Sequence, residues 1–241
     1  MRMLLAVALT AASSWALAQP PPARPPRPAI IQVTGQAKVA ETPDRVYIDI
    51  GVTTQAQKAE DAASQNASRL SAVIAAVRHA AGTGAQLTTT QYSISPNYNY
   101  PRNGGTPTIT GYTVSNVVRV RLDDLARIGR VIDAATQTGS NNVQDISFAL
   151  RDEQAPRSEA LREAALNARQ DATALAGALG LRLVRVLSVS EQSPGVVLPR
   201  IYPQMRQLAL AQAAAPTPVA AGSVDVNASV TLTVEVAPAT R

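Results

Sequence analysis

The 241-residue chain contains no cysteine. It therefore has no disulfide staple, no thiol nucleophile and no thiol to carry a lipid anchor, and its folded core must suffice for stability. Histidine occurs once, at His79, and a single imidazole without cysteine makes no recognisable zinc ligand set. The pattern of alternating acids with a glycine turn that a carboxylate calcium site needs is missing as well; "DDL" and "RDEQ" do not supply it. No CxxC, HExxH, Walker loop or GxSxG is found. Aromatic residues make up 3% and charged residues 16% of the chain, the latter below the roughly 25% usual for globular proteins. Long hydrophobic runs are also scarce. The apolar stretch at residues 3–12 is shorter than the about 20 residues a membrane span requires, and no later stretch qualifies. Direct peroxide removal, which would use a thiol, a metal or a haem, has no groups to carry it. No catalytic residue, no metal and no cofactor is expected.

What the chain does have is aliphatic: 46% hydrophobic residues, dominated by Ala, Val, Leu and Ile. Its start, "MRMLLAVALTAASSWALAQ", combines a basic residue (Arg2), an apolar stretch and a small-x-small ending at Ala16-Leu17-Ala18. This predicts a secretory signal peptide over residues 1–18, cleaved after Ala18, and a periplasmic location. Trp15, the single Trp, falls inside it. "QPPPARPPRPA", residues 19–29, predicts an extended Pro-rich lead. The formal charge is +5, and removing Arg2 leaves 5 − 1 = +4. Twenty of the 22 basic residues are Arg, spread along the chain rather than clustered. With export, this argues against nucleic acid as a partner and for solvated surface charge; loose attraction to an anionic membrane surface stays open.

Residues 33–52, "VTGQAKVAETPDRVYIDIGV", gather Glu41, Asp44, Arg45 and Asp49 within a few positions. Val33, Gly35, Ala37 and Val39 alternate with polar residues, and after "ETPD" so do Val46, Ile48, Ile50 and Val52. Two period-2 runs around a Pro-Asp turn predict a β-hairpin, with Asp44 bonding local amides and Asp49 on the wet face. The charges then belong to a turn and a solvated sheet face. A carboxylate pair for catalysis would need an enclosed pocket as well.

The rest of the chain reads as alternating elements. Residues 57–82 follow the helical period and stop at Gly82. Residues 87–122 form a larger hairpin whose tip, "RNGG" at 102–105, lacks the following helix start that would make it an anion cradle. Asp123 or Asp124 caps a helix packed through Leu125, Ile128, Ile132 and Ala135. A short strand burying Ile146, Phe148 and Leu150 follows. Next comes a long helix packed through Leu161, Ala164, Ala165, Ala168, Ala172, Leu175 and Leu179, then the strand "LRLVRVLSVSE". Residues 192–221 have no clean period and five prolines; a loop of this length is commonly functional or disordered. The last strand alternates from Val224 to Val236. Asn66-Ala67-Ser68 and Asn227-Ala228-Ser229 match the glycosylation pattern. The predicted order is ββ-α-ββ-α-β-α-ββ: an α+β fold, mostly antiparallel sheet with helices packed on one face. It occupies residues 30–237 as a single domain, with a tail at 238–241.

Tyr92, Tyr98, Tyr100 and Tyr112 all lie in the larger hairpin, as a structural cluster or a contact surface. Tyr202, Met205 and Leu208 put apolar side chains into the long loop, where they would serve docking. Tyr98, Tyr100, Tyr202, Met205 and Leu208 are thus the candidate interaction surface.

The stretches "VTGQAKVAETPDRVYIDIGV", "GYTVSNVVRVRLDDLARIGRVIDAA", "ISFALRD", "EALREAALNARQDATALAGALGLRLVRVLSVSE" and "AGSVDVNASVTLTVEV", in this order and spacing, resemble the SIMPL-domain family of exported bacterial proteins, also called the periplasmic immunogenic or oxidative-stress-defence family. The resemblance implies a periplasmic α+β domain without established catalytic residues, relatives linked to lower oxidative stress, and a branch that assembles into large ring or channel-like oligomers. Two readings follow. One is a non-enzymatic envelope protein that self-associates as a scaffold or channel-like assembly, tied indirectly to oxidative-stress tolerance. The other is a periplasmic binding module for a small molecule or envelope polymer. The partners expected are further copies of the chain and an envelope component. No nucleic acid and no transmembrane span in the mature chain are expected.

Overall fold

A computed structural model describes residues 28–102, 104–192, 217 and 219–239. The expected signal peptide, its cleavage site after Ala18, nearly all of the Pro-rich lead and most of the long loop, with Tyr202, Met205 and Leu208, lie outside the described residues. The elements are β1 (Ile30–Glu41), β2 (Arg45–Ala56), α1 (Ala59–Ala81), β3 (Gln86–Asn99), β4 (Thr108–Leu122), α2 (Ile128–Gln137), β5 (Asn142–Ala149), α3 (Gln154–Ala178), β6 (Leu181–Gln192) and β7 (Val224–Pro238). A single 3-10 turn, Leu125–Arg127, leads into α2. The fold is α+β with every strand pair antiparallel, and the order of elements is the expected one.

The strands divide between two sheets, ordered β3-β4-β2-β5 and β1-β7-β6. This overturns the first hairpin: β1 and β2 are consecutive but do not pair. The reason lies in what each strand has beside it. β2 is a central strand with β4 on one edge and β5 on the other, so it has no edge left for β1. β1 pairs instead with β7 along its whole length, from Ile30↔Glu235 to Glu41↔Val224. The residues between β1 and β2 carry the chain from one sheet to the other, with Pro43 buried at the crossing.

The larger sheet holds the main core. Val46, Ile48, Ile50 and Val52 of β2 and Val118, Val120 and Leu122 of β4 pack against Leu70, Val73 and Val77 of α1 and Val131 and Ile132 of α2, with Phe148 of β5 closing one side. Burying each such side chain contributes about 1.5–3 kcal/mol. α1 ends where expected, at Gly82 in a positive-φ conformation (φ 77°) whose N–H bonds Arg78 O. Asp124, rather than Asp123, caps the next turn by accepting from Ala126 N–H at 3.1 Å.

The smaller sheet is backed by α3, and here a second expectation changes. Ala160, Ala164, Ala168, Ala172 and Ala176, spaced by four, are fully buried, whereas Leu175 and Leu179 are exposed rather than packed. Methyl groups in a row let the helix axis lie very near the sheet. The approach is closest at Gly35 of β1, where an added Cβ would stand 2.2 Å from Ala164 O and 2.3 Å from Ala168 N. Leucines cannot occupy that row, so they flank it.

Asn66, whose three-residue pattern match is weak evidence on its own, belongs to the core. Its glycosylation pattern is not a surface feature, because the side chain is buried and its Nδ2 donates to Val52 O (2.9 Å) and Val114 O (3.2 Å). It fastens α1 across the β2–β4 pair.

Candidate functional site

The charged stretch that opens the domain resolves into separate partnerships. Asp44 Oδ1 accepts the backbone N–H of Arg151 at 2.7 Å, and Asp44 N–H donates to Ala149 O at 3.3 Å. Arg45 makes a two-pronged pair with Asp123 (2.8 and 3.2 Å), and Arg151 approaches the same carboxylate at 3.5 Å. Asp49, on the wet face as expected, is gripped by Arg119 (2.8 and 2.7 Å), which also lies 5.9 Å from the Tyr47 ring centre. The Arg45 hydrogen bond holds the Asp123 carboxyl below its ordinary range. The hydrogen bond to Asp49 raises the Arg119 guanidinium above its own. A proton-donating carboxylic acid needs the opposite shift. Among the described residues no three His, Asp or Glu gather as a metal would require. His79 is an exposed residue in the last turn of α1.

Two surfaces stand out instead. The first is the end of the β3–β4 hairpin. The register of β2 with β4 ends at Ala56↔Tyr112, so residues 97–99 and 108–111 pair only with each other and project past the sheet. Thr113 Oγ1 donates to Asn97 Oδ1 (2.9 Å) and Thr110 Oγ1 to Asn97 O (3.1 Å), bracing this arm. Gly111 sits where a Cβ would meet Ala56 O at 2.9 Å, so the arm's root crosses hard against the end of β2. Tyr98 and Tyr100, two of the residues singled out from the sequence, are brought together here with ring centres 6.2 Å apart, and Tyr100 is 70% exposed. Ile109 is exposed opposite Tyr98. Tyr92 lies further back on β3, exposed, and Tyr112 is half-buried on β4.

The second surface is the edge of the smaller sheet, which sequence reasoning missed. Leu183, Val186 and Val189 of β6 stand in register with Val236, Val234 and Leu232, the face that α3 covers on β7. α3 lies mainly over β1 and β7 and meets β6 at its start, through Leu181 and Leu183, while Val186 is 53% and Val189 63% exposed. Leu175 and Leu179 of α3 are exposed too. Two register shifts, at Leu183/Arg185 and Val186/Ser188, interrupt the strand. The clue available in the sequence was "LVRVLSV", apolar at positions that fit neither a period of two nor of 3.6.

Fold and surfaces together define an α+β protein of two helix-backed antiparallel sheets, distinguished by a projecting aromatic arm and an open apolar edge. The chain belongs to the SIMPL family, described as "Protein of unknown function (DUF541)", whose profile matches residues 31–234. It is 34% identical over 214 residues to the 26 kDa periplasmic immunogenic protein of Brucella melitensis biotype 1, covering 87% of this chain and 86% of that one, and equally similar to the protein of the same name from Brucella abortus (strain S19). The uncharacterized protein YggE of Escherichia coli (strain K12) is 26% identical over 159 residues, covering 66% of this chain and 64% of its own. Among solved structures, an amidase of the hydantoinase/carbamoylase family from Burkholderia phymatum matches 56% of this chain and 37% of its own at 11% identity with a TM-score of 0.24, a value that carries no fold argument. No helix among the described residues is long and apolar enough to cross a membrane.

Proposed function

We propose that the protein is an exported, periplasmic envelope protein that works without a catalytic centre. It self-associates into a scaffold or channel-like assembly, and its link to oxidative-stress tolerance is indirect. The observation that carries this reading is the β6 edge, where Val186 and Val189 face solvent on the side that α3 shields elsewhere in the same sheet. An unpaired strand edge presents free N–H and C=O groups, and an apolar strip beside it adds hydrophobic burial when a second strand joins. The periplasmic name of the Brucella relatives supports the location, and family resemblance supports the assembly and stress components. In the other direction, Asp44 accepts the backbone N–H of Arg151 and Asp49 is paired with Arg119, so both carboxylates are engaged in holding the fold.

Light scattering on the exported chain at micromolar concentration tests this. The expected result is a species several times the monomer mass, reduced to monomer by Val186→Lys with Val189→Lys. A clean monomer for the unaltered chain removes the proposal.

A second reading, a binding module for a small molecule or envelope polymer, is favoured by the exposed Tyr98–Tyr100 pair. It predicts saturable thermal stabilisation by an envelope component, abolished by Tyr98→Ala with Tyr100→Ala.

A further inference from the structure

We propose that the tip of the β3–β4 arm is a docking point for an anionic phospholipid bilayer surface, with Tyr98, Tyr100 and Ile109 entering the headgroup boundary and Arg102 meeting lipid phosphate.

Projection is the first argument. Residues 97–99 and 108–111 extend past the end of β2 by about three residues, or ~10 Å, beyond the Ala56↔Tyr112 pair. Such a tip reaches a planar surface before the body of the protein does.

Side-chain chemistry is the second. Tyrosine joins an apolar ring to a hydroxyl that stays hydrated, and this makes it a residue of the membrane–water boundary. Tyr98, Tyr100 and Ile109 are each about half exposed or more. Their open area is on the order of 300 Å². A specific protein partner needs roughly 1,000 Å² or more of total burial with matched shape. A bilayer imposes no shape requirement, and a small apolar tip inserts by itself.

Charge is the third. Residues 62–122 contain no Asp or Glu but five Arg: Arg69, Arg78, Arg102, Arg119 and Arg121. Arg102 is the charged residue of the arm's end, it is exposed, and among the described residues no carboxylate pairs with it. The acids nearest in sequence, Asp123 and Asp124, follow Leu122 at the opposite end of β4 from the arm's tip, and Glu60 and Asp61 stand in the first turn of α1. The tip therefore meets an anionic surface without like-charge repulsion. One Arg and three apolar side chains give a weak contact per chain, and linking several chains in an assembly would multiply it.

The test uses the exported chain from Gln19 onward, which contains no Trp, and vesicles of phosphatidylcholine with or without 30–40% phosphatidylglycerol, a composition at roughly the anionic excess where surface charge governs adsorption. Co-sedimentation is expected with the anionic vesicles, weakening as salt rises. It should fall about tenfold for Tyr98→Ser with Tyr100→Ser and about three- to fivefold for Arg102→Gln, the latter following from loss of one surface charge. Tyr100→Trp supplies a unique fluorophore whose emission shifts to the blue with anionic vesicles. Light scattering on the same variants separates this from the assembly proposal, because the β6 edge is untouched and oligomer size should not change. Failure of the unaltered chain to bind anionic vesicles overturns the proposal. So does binding that tip variants leave unchanged. A loss of oligomer size in the tip variants, with vesicle binding intact, assigns the tip to a second copy of the chain and overturns it equally.

Discussion

Asp44 and Arg151 are 107 positions apart in the chain, yet the carboxylate of one accepts the backbone N–H of the other at 2.7 Å. Each marks a place where the chain leaves one sheet for the other's territory. Asp44 lies between β1 and β2, and Arg151 between β5 and α3. The two crossings are thus tied to each other, and Asp123 adds a second tie by meeting both Arg45 and Arg151.

Asp44→Ala is expected to lower stability by about 1–2 kcal/mol, the scale of a hydrogen bond to a charged acceptor. Asp44→Asn, which keeps an acceptor oxygen, should recover about half. Urea midpoints report this. An unchanged midpoint for Asp44→Ala would show that the two crossings hold their places without the bond.

Gly35→Ala places a methyl group against the backbone of α3 at Ala164 and Ala168. Backbone atoms cannot swing aside, so helix and sheet must separate, at a cost of about 3 kcal/mol or more. Ala168→Leu should do the same from the other side. The loss should be read from thermal unfolding, and a double variant should cost less than the sum, since one separation admits both side chains.

Acid titration gives a signed prediction. The Arg45 hydrogen bond lowers the folded-state pKa of Asp123, so the stabilisation it brings is present above the unfolded carboxylate value near ~4. It is lost as pH falls through the folded value. Asp123→Asn should therefore be less stable than the unaltered chain at pH 7 and should converge with it near pH 2. Arg45 and Arg119, both raised by their carboxylate partners, remain charged over this whole range and contribute no pH dependence of their own. Urea midpoints at the two pH values decide it; a constant gap would rule out the ion pair as the source.

Asn66 has a donor that two strand carbonyls need. Asn66→Ala should cost about 2–3 kcal/mol through loss of buried hydrogen bonds. Asn66→Asp should cost more, because a buried carboxylate would face two carbonyl oxygens with nothing to donate. If the two variants unfold at the same denaturant concentration, the side chain is not oriented with its amide toward β2 and β4.

The order of elements, the stop at Gly82 and the alternation of β7 were legible because each depends on local chemistry: a positive φ, or a period that assigns residues to a face. Partner choice was not. Period-2 alternation says which side of a strand is wet but not which strand lies beside it, so β1 looked as ready to pair with β2 as with β7, nearly two hundred residues away. The α3 stripe misled for a related reason. Leucine outranks alanine in hydrophobicity, but the Gly35 crossing selects for small size. Of the candidate interaction residues, Tyr98 and Tyr100 come together at the end of β3, Tyr98 within the strand and Tyr100 just past it, which their closeness in sequence allowed and strand alternation alone did not fix. The exposure of Val186 and Val189 depends on where α3 comes to rest; the broken period of "LVRVLSV" marks β6 as irregular but does not say which of its residues are left uncovered.

The middle strand of the smaller sheet is also the last of the described strands along the chain. β1 and β6 do not touch each other in the ladder; each holds only to β7. Among the described residues, β1 and β6 therefore find their ladder partner only when the fifteen-residue β7 is present, and seating it means closing a very long loop.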